Sequence, residues 1–365
     1  MKKKLLLFLV IILGLTVEAS AQSITVIDTD GVPVAYATAT TEQGTLIGVT
    51  DVNGLLQDTK GNNVLCFSHV AYKPVTVNVA DLTDGMVTME ETSYSLPDVA
   101  VRPKELLYVQ TYYRLTYIDE EGPLYYRAGI IDNTYEYANQ KIKTKSKSIS
   151  KAYTGLLKFL INTVAGGKIE DRCKIQKMST YALVTSNKGD WAGLNISTDS
   201  TGRKVISDSV SILGYIDEDK QEGTRTTTFN HWLFNRHLDI AKEKNEKKKE
   251  KKEAVLAERQ QQKETSYFEV YRMDQDGYSS IGDLVMMQQI TKGGSRRSGH
   301  EFILILESYV TETAYIDKKE FNQTRKENDV DKSYEDLLRY EKAHNIPPLP
   351  SHLRVQIDKL FEEKK

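Results

Sequence analysis

The chain has 365 residues, with 49 Lys and Arg against 51 Asp and Glu and a formal net charge of −2. So near-neutral a balance argues against a nucleic-acid partner. After the first 21 residues no apolar stretch approaches the roughly 20 residues that a membrane helix needs, and the length accommodates two or three domains.

Those first 21 residues stand apart. Lys2, Lys3 and Lys4 precede an apolar run from Leu5 to Val17, and Ala19-Ser20-Ala21 then supplies small residues. This is the layout of a secretory signal peptide cleaved between Ala21 and Gln22, and the run is short for a bilayer span. No Cys follows the small residues, which argues against a lipid-anchored N-terminus. Cleavage removes three Lys and Glu18, leaving 344 residues and a net charge of −4. Cys66 and Cys173 are the only cysteines and stand 107 positions apart. An exported compartment permits a disulfide, but spacing alone does not supply its geometry. Between Leu65 and Phe67, Cys66 also suits a small buried hydrophobe.

From Ile24 to Val101 short extended runs alternate with turn residues. Asp30-Gly31, Gln43-Gly44, Asn53-Gly54, Gly61-Asn62 and Asp84-Gly85 punctuate them at the spacing of an all-β sandwich. In KPVTVNVAD, Val75, Val77 and Val79 face one way and Thr76 and Asn78 the other. The pieces VIDTDGVPVAYA (Val26–Ala37), GVTDVNG (Gly48–Gly54), FSHVAY (Phe67–Tyr72) and LPDVAV (Leu96–Val101) resemble the carboxypeptidase regulatory-like domain. That resemblance covers about 80 residues. It implies a seven-stranded prealbumin-like sandwich over residues 22–102, of a kind found at the N-terminus of exported and outer-membrane proteins of the Bacteroidetes. It implies no catalytic role for the domain. Two positions depart from the family pattern: Ala71 where Gly is usual, and LLQD after Asn53-Gly54 where an aromatic is usual. Asp51 and Asn53 open the sequence of some calcium loops, but the later acidic ligands are missing, and a turn explains both residues.

Residues 103–330 read as a second, larger antiparallel β-rich domain, curved and open or half-barrel. LLYVQTYYRLTYI and GPLYYRAGIIDNTYEY lead it, within a chain of 21 Tyr and 9 Phe. Tyr suits a sheet with one packed and one wet face. Lys141, Lys143, Lys145 and Lys147 alternate with Ile142, Thr144, Ser146 and Ser148. In a strand they line one face, either simply solvated or in contact with anionic headgroups or glycans. Further extended runs are CKIQKMSTYALVTS, RKVISDSVSILGYI, SYFEVYRMD and EFILILESYVTETAYI. AYTGLLKFLINTVAGG reads as a short helix ended by Gly166-Gly167, and a charged helical insertion spans 236–265, rooted by Phe229, Trp232, Leu233 and Phe234. Residues 331–365 read as two C-terminal helices, one capped by Ser333 and one starting at Ser351, with Leu353, Ile357 and Leu360 on one face.

No chemistry-bearing constellation emerges, and the reading assigns no catalytic, cofactor or metal residue. The six His are scattered, and His231 and His237 lie about 240° apart around a helix. His300 and Glu301 are adjacent, so in a strand they point to opposite faces. Ala165–Lys168 lacks the length and hydroxyl of a phosphate loop. The expected function is non-catalytic binding or scaffolding at the cell envelope, with an apolar or glycan ligand on the concave, Tyr-lined side of the curved sheet and lipid, glycan or an outer-membrane protein as partner. The alternatives are a component docking on an outer-membrane assembly, a small outer-membrane barrel, and a hydrolase.

Overall fold

The computed structural model describes residues 23–92, 94, 105–154, 175–176, 178–259, 263–294, 300–321 and 333–362. The Ala21–Gln22 cleavage point, Cys173, Ala165–Lys168 and all but the first residues of the helix expected near 152–167 lie outside them.

The N-terminal fifth of the chain is the seven-stranded sandwich. β1 (Ile24–Asp28), β2 (Thr38–Thr40), β3 (Leu46–Val49), β4 (Leu55–Leu56), β5 (Val64–His69), β6 (Tyr72–Asn78) and β7 (Met86–Met89) form two sheets, ordered β4-β1-β7 and β3-β2-β5-β6. Alternate side chains of β1 turn inward, and Ile24, Val26, Ala37, Leu65, Phe67 and Met89 make a fully buried core between the sheets. Val75 and Val77 of β6 pack against that core, as their alternation requires. The Asp51 turn closes as read: Asp51 Oδ1 accepts from Asn53 N (2.8 Å) and Leu55 N (2.9 Å). Gly54 carries the positive φ of +73°, and a Cβ there would stand 2.4 Å from the Val26 carbonyl oxygen, so only glycine fits.

Ten strands build the larger sheet: β8 (Leu106–Asp119), β9 (Gly122–Glu136), β10 (Lys141–Tyr153), β11 (Asn195–Thr198), β12 (Lys204–Ser207), β13 (Ile212–Asp219), β14 (Thr224–Asn230), β15 (Lys263–Arg272), β16 (Leu284–Gly294) and β17 (Glu301–Ile316). Their order is β10-β9-β8-β17-β16-β15-β14-β13-β12-β11, with every neighbouring pair antiparallel. The sheet is curved and open, with β10 and β11 as its edges, and among the described strands it closes no barrel.

Tyrosine serves differently here from a one-wet-face sheet. Every residue of β8 is buried. Its odd positions, Leu107, Val109, Tyr113, Leu115 and Tyr117, join Ile175, Tyr271, Leu304 and Leu306 in one cluster. On the other face Tyr112 packs with Tyr126, Ile130, Phe268 and Tyr309 beneath the C-terminal helices. Strands covered on both sides read as continuous apolar runs, and the hydroxyls of Tyr108 and Tyr112 find protein partners in place of water, in Asp132 and Glu341.

Five α-helices with both bounds among the described residues flank the sheet: α1 (Thr180–Ser186), α2 (His231–Ala241), α3 (Glu246–Arg259), α4 (Tyr334–Ala343) and α5 (Ser351–Glu362). The run CKIQKMSTYALVTS, expected to be extended, is corrected by α1. Ser179 Oγ accepts from Ala182 N (3.1 Å) at its start and Asn187 at φ 47° ends it. A side-chain cap and a left-handed stop outweigh strand propensity in so short a piece. The insertion expected at 236–265 is α2 and α3, joining β14 to β15. Leu353, Ile357 and Leu360 form the buried face of α5, as their spacing requires.

Candidate functional site

The densest collection of polar side chains lies where the sandwich, the ten-stranded sheet and the C-terminal helices meet. Each contributes from a defined place. The even positions of β8 project toward this side and bring Gln110, Tyr112, Arg114 and Thr116. β17 adds Glu307 and Tyr309, α4 adds Glu341 and Tyr340, and α5 adds Arg354. The Ile346–Pro350 connection, with three prolines that stop α4, lies across the top.

Arg114 is the centre. It is 2% exposed, its Nε donates to Glu307 Oε2 in a close ion pair, and its Nη1 lies 3.7 Å from Glu341 Oε1. Nη1 also donates to the Pro347 carbonyl (2.8 Å) and Nη2 to the Tyr309 hydroxyl (3.1 Å). Arg354 Nη2 donates to Glu341 Oε2 (2.8 Å), and the Tyr112 hydroxyl donates to Glu341 Oε1 (2.6 Å). Glu307, Arg114, Glu341 and Arg354 thus form a chain of alternating charge that sums to zero. Beside it the Tyr340 hydroxyl meets Gln110 Oε1 (2.6 Å) and Thr311 Oγ1 (2.7 Å). Buried charges persist where pairing and hydrogen bonds replace water, and here both conditions hold.

The sandwich grips the same face through the loops that carry Tyr36 and Val70. Gln288 of β16, buried within the joint, accepts from Val70 N (3.1 Å) and donates to the Tyr36 carbonyl (3.4 Å). One amide therefore ties both the PVAYA and the FSHVAY loops to the sheet. Tyr36 holds a φ of 62°, a strained conformation for a non-glycine residue that the docked loop enforces. His69 packs edge-on against Phe268 with ring centroids 4.5 Å apart. Its Nδ1 accepts from Ala71 N (3.3 Å), while its Nε2 has no hydrogen-bond partner. Burial pulls the His69 imidazole down to about 3, so the ring is neutral at physiological pH. Replacing Gln288 by Leu leaves the Val70 N–H and the Tyr36 carbonyl unpaired. A loss of about 1–3 kcal/mol in unfolding free energy is expected by denaturant titration.

Between these groups lies a cavity of about 30 Å³, lined by Thr38, His69, Arg114, Gln288, Glu307 and Pro348 among others. It has room for a water molecule or two. A second cavity, of about 10 Å³, lies on the opposite face beside Glu269 and Ser308. Burial raises the Glu269 carboxyl above the usual carboxylate range, and its Oε2 accepts from Thr180 N (2.8 Å) at the start of α1. Neither space admits a lipid chain or a sugar, and the β8 tyrosines, expected to line an open hollow, are core residues, whereas Tyr137 beyond β9 is exposed.

Elsewhere the histidines take separate structural tasks. His237 Nδ1 pairs closely with Asp208 Oδ2, and Asp208 Oδ1 accepts from Val210 N (2.8 Å) and Ser211 N (2.9 Å), stapling α2 to that turn. His300 Nε2 lies 3.0 Å from Asp119 Oδ2, whereas the neighbouring Glu301 reaches Lys60 Nζ at 2.9 Å. The two therefore serve different partners, His300 just before β17 and Glu301 at its first position. His352 meets Thr40 Oγ1 at 2.8 Å and joins α5 to the sandwich. Among the described residues no group of three or more His, Cys, Asp or Glu side chains could hold a metal ion. Cys66 is a buried free thiol 3.3 Å from Thr76 Oγ1.

Lys141, Lys143 and Lys145 are exposed on β10 while Ile142, Thr144 and Ser146 are half-buried. The period-two stripe is therefore present, although the Lys147 side chain lies outside the described ones. It sits on an edge strand, where lysine also discourages pairing with another sheet. A register shift between Ser146 and Ser148 ends the alternation. The sequence gives no hint of the joint's pairing beyond one feature. Arg114 and Glu307 are single charges within long apolar strand runs, a pattern that signals buried partners. The joint is thus built to hold surfaces together, with each charge answered by its neighbour. No protein-family model and no curated protein sequence matches the chain.

Proposed function

We propose that this is an exported, non-catalytic protein of the cell envelope, periplasmic or outer-membrane associated, with a scaffold or binding role. The sandwich, resembling a carboxypeptidase regulatory-like domain, is a mount whose motif loops fasten it to the larger sheet. The supporting observation is the filled joint. The buried charges around Arg114 are paired with one another, and the adjoining cavity of about 30 Å³ is too small for substrate. What the protein offers partners is its periphery, above all the sheet edges and the helices beyond the sheet. Neither cavity among the described residues has room for a carrier's ligand, and the described strands form an open sheet, which favours the scaffold reading over a small barrel.

Fractionation of cells producing the tagged full chain tests this. The expected result is recovery in the periplasmic or outer-membrane fraction with residues 1–21 removed, and a cross-linked envelope partner. A cytosolic product with its leader intact would overturn the reading.

A further inference from the structure

We propose that α3 is a cationic docking arm for a phosphate-bearing anionic lipid surface. The proposal uses the envelope reading only for location. Residues 242–252 hold seven Lys, three Glu and no apolar residue. Asn245 starts the helix, its Oδ1 accepting from Lys248 N (3.2 Å). α3 leans on α2, where Lys252 Nζ reaches Glu243 Oε2 (3.0 Å) and the Asp239 carbonyl (3.4 Å). None of residues 246–254 is buried, so among the described side chains no apolar face accounts for this part of the helix.

Its charges are moreover poorly compensated. Lys244, Lys247, Lys248, Lys249 and Lys251 make no ion pair among the described residues. Within the helix, Lys247–Lys251 and Lys248–Lys252 are like charges one turn apart, and Lys248–Lys251 and Lys249–Lys252 are three apart. Each such pair destabilises an isolated helix. The arm holds its repulsion while the chain as a whole is slightly acidic, with a net charge of −2. An anionic surface relieves that repulsion. Lipid phosphates match the geometry: a flat array of negative charge meets lysines spread around a projecting rod, with no pocket needed.

The probes are phosphatidylcholine vesicles with and without 30% phosphatidylglycerol, at about 50 mM and 500 mM salt, mixed with the full mature chain. The expected result is co-sedimentation with the phosphatidylglycerol vesicles alone, lost at high salt through screening. The K244Q/K247Q/K248Q/K251Q variant is expected to bind at least tenfold more weakly, with an unchanged denaturation midpoint. Amide hydrogen exchange across 246–259 should slow on phosphatidylglycerol vesicles. Equal binding by the variant, binding to phosphatidylcholine alone, or no binding at low salt would each overturn the proposal. So would tighter binding to a 20-nucleotide single strand than to the vesicles. These outcomes are read in vitro and are separable from failure of the localisation experiment.

Discussion

Replacing Arg114 by Met lowers the free energy of unfolding by about 3–5 kcal/mol, measured by denaturant titration at neutral pH. The magnitude follows from what the change leaves behind. Glu307 loses its close guanidinium partner, and the Pro347 carbonyl and the Tyr309 hydroxyl each lose a donor. Glu341 keeps Arg354 and Tyr112, so the damage centres on Glu307. Lys at this position restores charge without restoring the fork that reaches a carboxylate, a carbonyl and a hydroxyl together, and is expected to recover little. The double variant Arg114→Met, Glu307→Leu removes both charges and should recover most of the loss, since an apolar pair replaces a stranded carboxylate. A single-variant loss below about 1 kcal/mol would mean that water reaches the joint and screens it.

Acid weakens the grip of the sandwich through His69. Its imidazole is held near 3 in the folded chain against 6.5 for the ordinary group, and burial is the cause. The unfolded chain therefore takes up a proton that the folded one refuses. The stability this neutral ring permits is complete above 6.5 and declines as pH falls from 6.5 toward 3. Linkage gives a loss of about 2 kcal/mol by pH 5 and up to about 5 kcal/mol near pH 3. Carboxylates contribute their own acid dependence, so the informative quantity is the difference between the native chain and His69→Asn. That difference should move by about 2 kcal/mol between pH 7 and pH 5, with the native chain losing more. A flat difference across that range would show that water or Glu307, which lines the same cavity, stabilises the imidazolium.

The sequence makes the sandwich legible because its signals are local. Turn pairs such as Asp84-Gly85, where both residues take positive φ, and the alternation of Val75 and Val77 need no distant partner. The C-terminal helices are legible for the same reason, through Ser333 and the spacing of Leu353, Ile357 and Leu360. The joint is not local. Arg114 meets Glu307 across 193 positions, and nothing in either strand's periodicity selects the other. The two-sided burial of the tyrosines is hidden likewise, because a Tyr whose hydroxyl bonds to water and one whose hydroxyl bonds to Glu341 look the same in a strand. α1 escaped because seven residues carry too little period to outweigh a β-rich context. His237 and Asp208 come together from a helix and a turn, and no spacing rule joins them.

Native mass spectrometry of the protein purified without detergent from the envelope fraction, sprayed from concentrated ammonium acetate to release surface-bound lipid, tests the account most directly. The expected species has the mass of the chain from Gln22 to Lys365 and nothing more, because the sheet's faces are occupied by its own side chains. A stable adduct of several hundred daltons, retained until the protein unfolds, would place a ligand inside the fold and contradict it.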